Sequence, residues 1–155
     1  MARVRARPGR GPLLSAAAVL VALLASGCGD DSGVGTVYPV HGKIFLNNEP
    51  FKASTTVIVF KPNASRGNKT AFDPAGKVDE DGNYTLLTKG RSGAPPGWYK
   101  VVVTATGAPG KGATKHRPLP LSLLPAKYGQ AKTTPLEVEV VADPRDGAYD
   151  LKLTR

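Results

Sequence analysis

Tyr99-Lys100-Val101-Val102-Val103-Thr104-Ala105 is the stretch on which the fold turns. Side chains branched at Cβ and broad aromatic rings fit the open pleat of a strand better than the crowded turn of a helix. Because side chains alternate across a strand, Tyr99, Val101, Val103 and Ala105 share one face, read as the core face. So uniformly β-forming a run is expected to be a central strand. Residues 89–97, rich in Gly and Pro, lead into it as a connection.

The same alternation recurs on both sides. Val40, Gly42, Ile44 and Leu46 share a face, with His41, Lys43 and Phe45 on the other, before Asn47-Asn48-Glu49-Pro50 turns the chain. Thr56, Ile58 and Phe60 point inward until Pro62, which has no N–H for a sheet ladder, ends the run. A loop is expected over 63–75. Residues 77–79 and 83–88 read as a hairpin turning through Asp81-Gly82, with Tyr84 and Leu86 facing the core. Near the end, Leu136, Val138 and Val140 alternate with Glu137 and Glu139, and Tyr149, Leu151 and Leu153 alternate with Asp150 and Lys152. With 18 Gly and 14 Pro in 155 residues, turns are plentiful and long helices costly. The expectation is all-β: about seven strands in one Greek-key β-sandwich of immunoglobulin or transthyretin type.

The N-terminal stretch reads as an address. Arg3 to Arg10 form a basic start, Leu13 to Ala25 an apolar stretch, and small residues follow. That apolar stretch falls short of the roughly 20 residues a membrane-spanning helix needs. Leu24-Ala25-Ser26-Gly27-Cys28 looks like a bacterial lipobox, in which small residues admit the peptidase and the cysteine thiol takes up diacylglycerol; Ala25 stands where lipoboxes prefer Leu. Cys28 is the chain's single cysteine, so no internal disulfide can account for it. The expected organisation is a signal peptide over 1–27, a lipidated tether over 28–36 and the β-sandwich over 37–155. Losing Arg3, Arg5, Arg7 and Arg10 lowers the formal charge from +9 to +5. The remaining charge is scattered, without the basic stripe and interleaved aromatics of a nucleic-acid surface, so no nucleic-acid partner is expected. Gly29 stands where some bacteria place an aspartate that retains lipoproteins in the inner membrane. The periplasmic face of the outer membrane or the cell surface is therefore favoured.

Catalytic chemistry finds little purchase. Nucleophilic catalysis needs a nucleophile beside a base, and the two histidines, His41 and His116, have no serine elbow motif near them. No zinc-binding helix motif or cysteine pair occurs, and neither zinc nor any cofactor is expected. The sharpest metal candidates are Asp79, Asp81 and Asn83, whose side-chain oxygens at alternate positions resemble the start of a calcium loop. An EF-hand loop starting at Asp79 would place its glycine at Tyr84 and its closing glutamate at Gly90, so a hairpin turn explains the same residues more simply. Residues 107–133 are long for a connection in a sandwich. There Lys111, Lys115, His116 and Arg117 precede Leu119, Leu121, Leu123 and Leu124, interleaved with prolines. This strip suits docking to a membrane surface or an acidic partner; equally, its leucines suit covering a sheet edge against aggregation.

Tyr38-Pro-Val-His-Gly-Lys-Ile, Val78-Asp-Glu-Asp-Gly-Asn-Tyr-Thr-Leu and Gly93-Ala-Pro-Pro-Gly-Trp-Tyr-Lys-Val, followed by Leu124-Pro-Ala-Lys-Tyr-Gly and Thr134-Pro-Leu-Glu-Val, resemble a known pattern. They are similar to the small planctomycete lipoproteins that carry a carboxypeptidase-regulatory-like, transthyretin-like domain. The resemblance implies a β-sandwich of the kind that sits beside metallocarboxypeptidase catalytic domains and holds no catalytic residues. The function expected is a non-catalytic module of the bacterial cell envelope, membrane-anchored through Cys28, with a structural role or an envelope protein or glycan as ligand. The competing expectations are a calcium-stabilised adhesion or carbohydrate-binding module and an accessory subunit of an envelope peptidase.

Overall fold

Strands and two short 3-10 turns are the regular elements of the computed structural model, which describes residues 33–53, 55–107 and 121–155. The strands are β1 (His41–Leu46), β2 (Glu49–Pro50), β3 (Thr55–Pro62), β4 (Ala75–Lys77), β5 (Asn83–Thr85), β6 (Leu87–Thr88), β7 (Arg91–Ser92), β8 (Gly97–Thr106), β9 (Glu137–Val140) and β10 (Leu151–Leu153). They form two sheets. One has the order β10-β1-β2 with β5 also on β1, and the other the order β7-β6-β4-β3-β8-β9. The protein is all-β. Among the described residues no helix is long and apolar enough to cross a membrane.

The strand around Val101 lies inside the larger sheet, between β3 and β9. Its ladder with β3 runs unbroken from Thr55↔Thr106 to Pro62↔Tyr99. The inward residues are those that alternation selects: Ile58, Phe60, Tyr99 and Val101 have no exposed surface, and Val103 and Ala105 almost none. Ile44, Leu151 and Leu153 join the same hydrophobic cluster from the smaller sheet, with Val40 just before β1, so the two sheets share one core. Burial at roughly 25 cal/mol per Å² of apolar surface is what holds these faces together.

Three expectations need correction. The turn after β1 is made by Asn47 and Asn48 alone, both at positive φ, while Glu49 and Pro50 pair back on Leu46 and Phe45. The loop expected over 63–75 ends a residue early, because Ala75 opens β4 against Val59. The hairpin of 77–79 with 83–88 is reduced to one bridge, Val78↔Tyr84. Asn83–Thr85 instead pairs with β1 in the smaller sheet, and Leu87 pairs with β4 in the larger one. The chain changes sheets at Leu86, which is fully buried. Two glycines flank this crossing. A Cβ at Gly76 would overlap the Thr85 carbonyl oxygen, and one at Gly42 would overlap that of Tyr149 while standing 3.1 Å from the Tyr84 ring. β9 and β10, expected as two closing strands, fall in different sheets, with β10 parallel to β1.

Candidate functional site

The outward faces of β3, β8 and β9 carry the most organised polar cluster. Alternation that turns Tyr99 inward turns Trp98 and Lys100 outward, and the ladders set Lys100 beside both Lys61 and Glu137, and Trp98 beside Glu139. Two lysines side by side would repel, but Asp73 pairs with Lys61 and Glu137 takes Lys100 at 2.5 Å. A 3-10 turn over Ala64–Arg66 returns the chain so that Arg66 reaches Glu137 at 3.0 Å while its guanidinium covers the Trp98 ring, 3.4 Å from the centroid. The hydrogen bond from Lys100, helped by Arg66, holds the Glu137 carboxyl below its ordinary pKa. Beneath this layer two buried amides fasten the strand start. The Asn68 side chain donates to the Trp98 carbonyl at 2.9 Å, and Asn63 donates its N–H to the same oxygen at 2.9 Å.

Lys61, Trp98, the turn between β6 and β7 and the loop before β4 lie at one end of the larger sheet. That follows from the registers, since Pro62↔Tyr99, Gly97↔Val140, Ala75↔Leu87 and Thr88↔Arg91 all mark the same end. Lys89 and Gly90, both at positive φ, make the tight turn there, and the Lys89 ammonium sits 4.4 Å from the centre of the Phe72 ring. Lys69 is exposed at this end too. The incoming chain arrives at the same place. Val34 is buried, the Gly35 carbonyl accepts a hydrogen bond from Arg91 at 2.5 Å, and Tyr38 exchanges two backbone hydrogen bonds with Ala94. Gly93 is required beside it: it lies at φ +112, and a Cβ there would overlap the Tyr38 carbonyl.

Comparison with family models, curated proteins and solved structures finds no match for this chain. The residues singled out from sequence therefore stand on their own geometry. Asp79 forms a turn around itself: Oδ1 accepts from the N–H groups of Asp81 and Asn83 at 2.9 and 2.8 Å, and Oδ2 accepts from the Asn83 amide at 3.0 Å. The Asn83 amide, then the Asn83 and Asp81 N–H groups, hold its pKa below the ordinary carboxylate value. Both oxygens are occupied by protein donors, and the Asn83 amide is turned to donate, so Asp79, Asp81 and Asn83 are arranged as a turn and not as a ligand cage. Among the described residues no group of three or more His, Cys, Asp or Glu side chains is placed to hold a metal ion.

His41 is exposed on β1, at the rim of a polar depression of about 600 Å³ that also takes Lys43, Arg145, Asp146 and Asp150. A second depression of about 590 Å³, mainly apolar, runs beside the sheet crossing between Val57, Ala75, Tyr84 and Leu87. Leu121 is 72% exposed, and the chain around it pairs with the end of β8: Gly107 donates to the Leu121 carbonyl and Leu123 to that of Ala105, both at 3.0 Å. Leu124 enters the core. Cys28, Lys111, Lys115, His116, Arg117 and Leu119 lie outside the described residues. Sequence reasoning passed over the cluster of Arg66, Trp98, Lys100 and Glu137. The available signal was an outward tryptophan next to an inward tyrosine on the strand first identified.

Proposed function

We propose that this chain is an exported lipoprotein, cut before Cys28 and held there by acyl chains, whose β-sandwich is a non-catalytic module of the bacterial cell envelope. The observation that carries the reading is the position of the folded unit, which starts at Ser32 and contains every residue of the hydrophobic cluster. Cleavage before Cys28 would remove nothing from that core and would leave only a few residues between the lipid and the domain. Acyl chains contribute about 0.8 kcal/mol per buried CH₂, so two or three hold a soluble domain at a membrane without a protein span.

The finer architecture we assign is a Greek-key sandwich of immunoglobulin or transthyretin type, within the carboxypeptidase-regulatory-like lipoproteins. Sequential strands that change sheets, as β9 and β10 do, support this. So does the convergence of the quoted motifs, since Tyr38 bridges Ala94 and Gly42 pairs with Tyr84. Intact mass spectrometry of the protein from a membrane fraction tests the anchor. A mass beginning at residue 28 plus diacylglycerol, lost in Cys28→Ala, is the expected result. An unlipidated mass would leave a freely diffusing exported domain and remove the envelope-anchored reading.

A further inference from the structure

Asparagine, then any residue but proline, then serine or threonine is the acceptor pattern for N-linked oligosaccharide in exported proteins. It occurs at Asn63-Ala64-Ser65, Asn68-Lys69-Thr70 and Asn83-Tyr84-Thr85. The fold treats these places differently. Asn63 and Asn68 are each only 6% exposed. Asn63 Oδ1 accepts from the Ser65 hydroxyl at 2.6 Å, and its amide donates to Glu137 at 3.3 Å. Asn68 Oδ1 accepts from the Thr70 N–H at 3.0 Å, its amide donates to the Trp98 carbonyl, and a Cβ at Gly97 would stand 3.0 Å from that amide nitrogen. Local turn chemistry accounts for both patterns, and neither buried amide has room for a sugar.

Asn83 is placed otherwise. Alternation along β5 turns Tyr84 into the core and leaves Asn83 and Thr85 exposed, paired in register with Lys43 and His41 of β1. An amide nitrogen carries two hydrogens, and the Asp79 turn uses one of them, donated to Asp79 Oδ2 at 3.0 Å. A sugar in place of the other leaves that bond intact. The polar depression of about 600 Å³ opens beside it, with His41, Lys43, Asn83 and Asp150 in its wall, and offers donors and acceptors to the hydroxyls of a first sugar. Asp81 stands two residues before Asn83, where bacterial oligosaccharyltransferases favour an acidic side chain; Lys61 and Arg66 hold that position before Asn63 and Asn68.

We propose that Asn83 is an N-glycosylation site, which receives an oligosaccharide from a polyprenyl diphosphate carrier after the chain crosses the membrane. Asn83 Nδ2 attacks the anomeric carbon of the first sugar. The C–N bond forms as the bond from that carbon to the diphosphate oxygen breaks, the polyprenyl diphosphate leaves with the electron pair, and the nitrogen gives up one proton. The inference rests on the reading that the chain is exported, because the carrier presents its sugars on the far side of the membrane.

The test is tryptic peptide mapping by mass spectrometry of the protein purified from membranes of its native host. Asn83 falls in peptide 78–89, Asn63 in 53–66, Asn68 in 67–69, and a terminus cut before Cys28 in 28–43. Peptide 78–89 is expected to carry an oligosaccharide mass with sugar fragment ions, and 53–66 and 67–69 to carry none. The modification should be lost in Asn83→Gln and in Thr85→Val, which keeps a β-branched side chain of the same shape, and retained in Thr85→Ser. Bare peptide 78–89 in protein whose 28–43 peptide shows export overturns the inference, as does sugar on 53–66 or 67–69, or sugar retained in Thr85→Val. An unprocessed N-terminus would instead bring down the export reading. Incubation of the purified chain with a bacterial oligosaccharyltransferase and a lipid-linked oligosaccharide then decides the acceptor by itself: transfer to 78–89 supports it, and no transfer overturns it.

Discussion

The β3–β8 ladder and the segment Asn83–Thr88 carry the same alternating signature and do different things. Along the ladder, eight pairs from Thr55↔Thr106 to Pro62↔Tyr99 keep both strands in one sheet. Over Asn83–Thr88, Tyr84 and Leu86 are buried as alternation demands, yet the backbone pairs first with β1 in one sheet and then with β4 and β7 in the other. Alternation specifies which side chains face the core. It does not specify which sheet supplies the hydrogen bonds, because both sheets of a sandwich present inner faces to the same core. The choice at the crossing is made by close approach, where Gly42 and Gly76 let backbone pass in the space a side chain would occupy.

The largest expected effect tests the ladder. Phe60 is fully buried, with ring centroids 5.7 Å from Tyr99 and 6.5 Å from Tyr84. Phe60→Ala should cost about 4 kcal/mol by denaturant unfolding, from lost burial and the cavity left behind. Gly76→Ala tests the crossing. It adds only a methyl, but one aimed at the Thr85 backbone, and about 3 kcal/mol of destabilisation is expected. A cost under about 0.5 kcal/mol would mean the crossing is not held by that close approach.

Tyr84 gives a smaller effect with a pH signature. Its hydroxyl donates to the Tyr149 carbonyl at 2.5 Å, tying the crossing strand to the segment before β10. Tyr84→Phe should cost about 1.5 kcal/mol at neutral pH. Burial, first, and then the Asp150 and Tyr149 charges raise the Tyr84 pKa well above its ordinary value of 10.0. The native state therefore keeps a proton that the unfolded chain releases. Stability falls as pH rises above about 10. Tyr84→Phe removes this source of loss, so the gap between variant and parent should narrow in alkaline unfolding curves. The smallest effect returns to the ladder. Thr56 is buried on β3 with its hydroxyl unpartnered. Thr56→Val should raise stability by about 1 kcal/mol in the same denaturant series, because the hydroxyl gains nothing from burial.

Much of this molecule is readable from its residues. The inner faces of β1, β3, β8, β9 and β10 follow from alternation, because a half-buried strand places every second side chain in the same environment. The two-residue strands β2 and β7 escaped, since two residues cannot establish a period, and β6 was read only as the end of one longer strand over 83–88. The Asp79 turn was legible in Asp79-Glu80-Asp81-Gly82-Asn83, because an aspartate that bonds its own backbone two residues on needs no distant partner. The cluster around Trp98 was not, because Arg66 and Glu137 lie 71 positions apart and meet only after three strands are in register.

The sequence by itself determined an all-β chain, the strand side chains that form most of its core, and the places where Pro, Asn and Gly end or turn the strands. These depend on interactions within a few residues, or on the general gain from burying apolar surface. Only the tertiary structure decided the partner of each strand, the sheet change at Leu86, the close approaches at Gly42, Gly76 and Gly93, and the meeting of Arg66, Trp98, Lys100 and Glu137 on the outward face of the larger sheet. These depend on which distant backbones come within contact, and that is fixed only when both sheets close over one core.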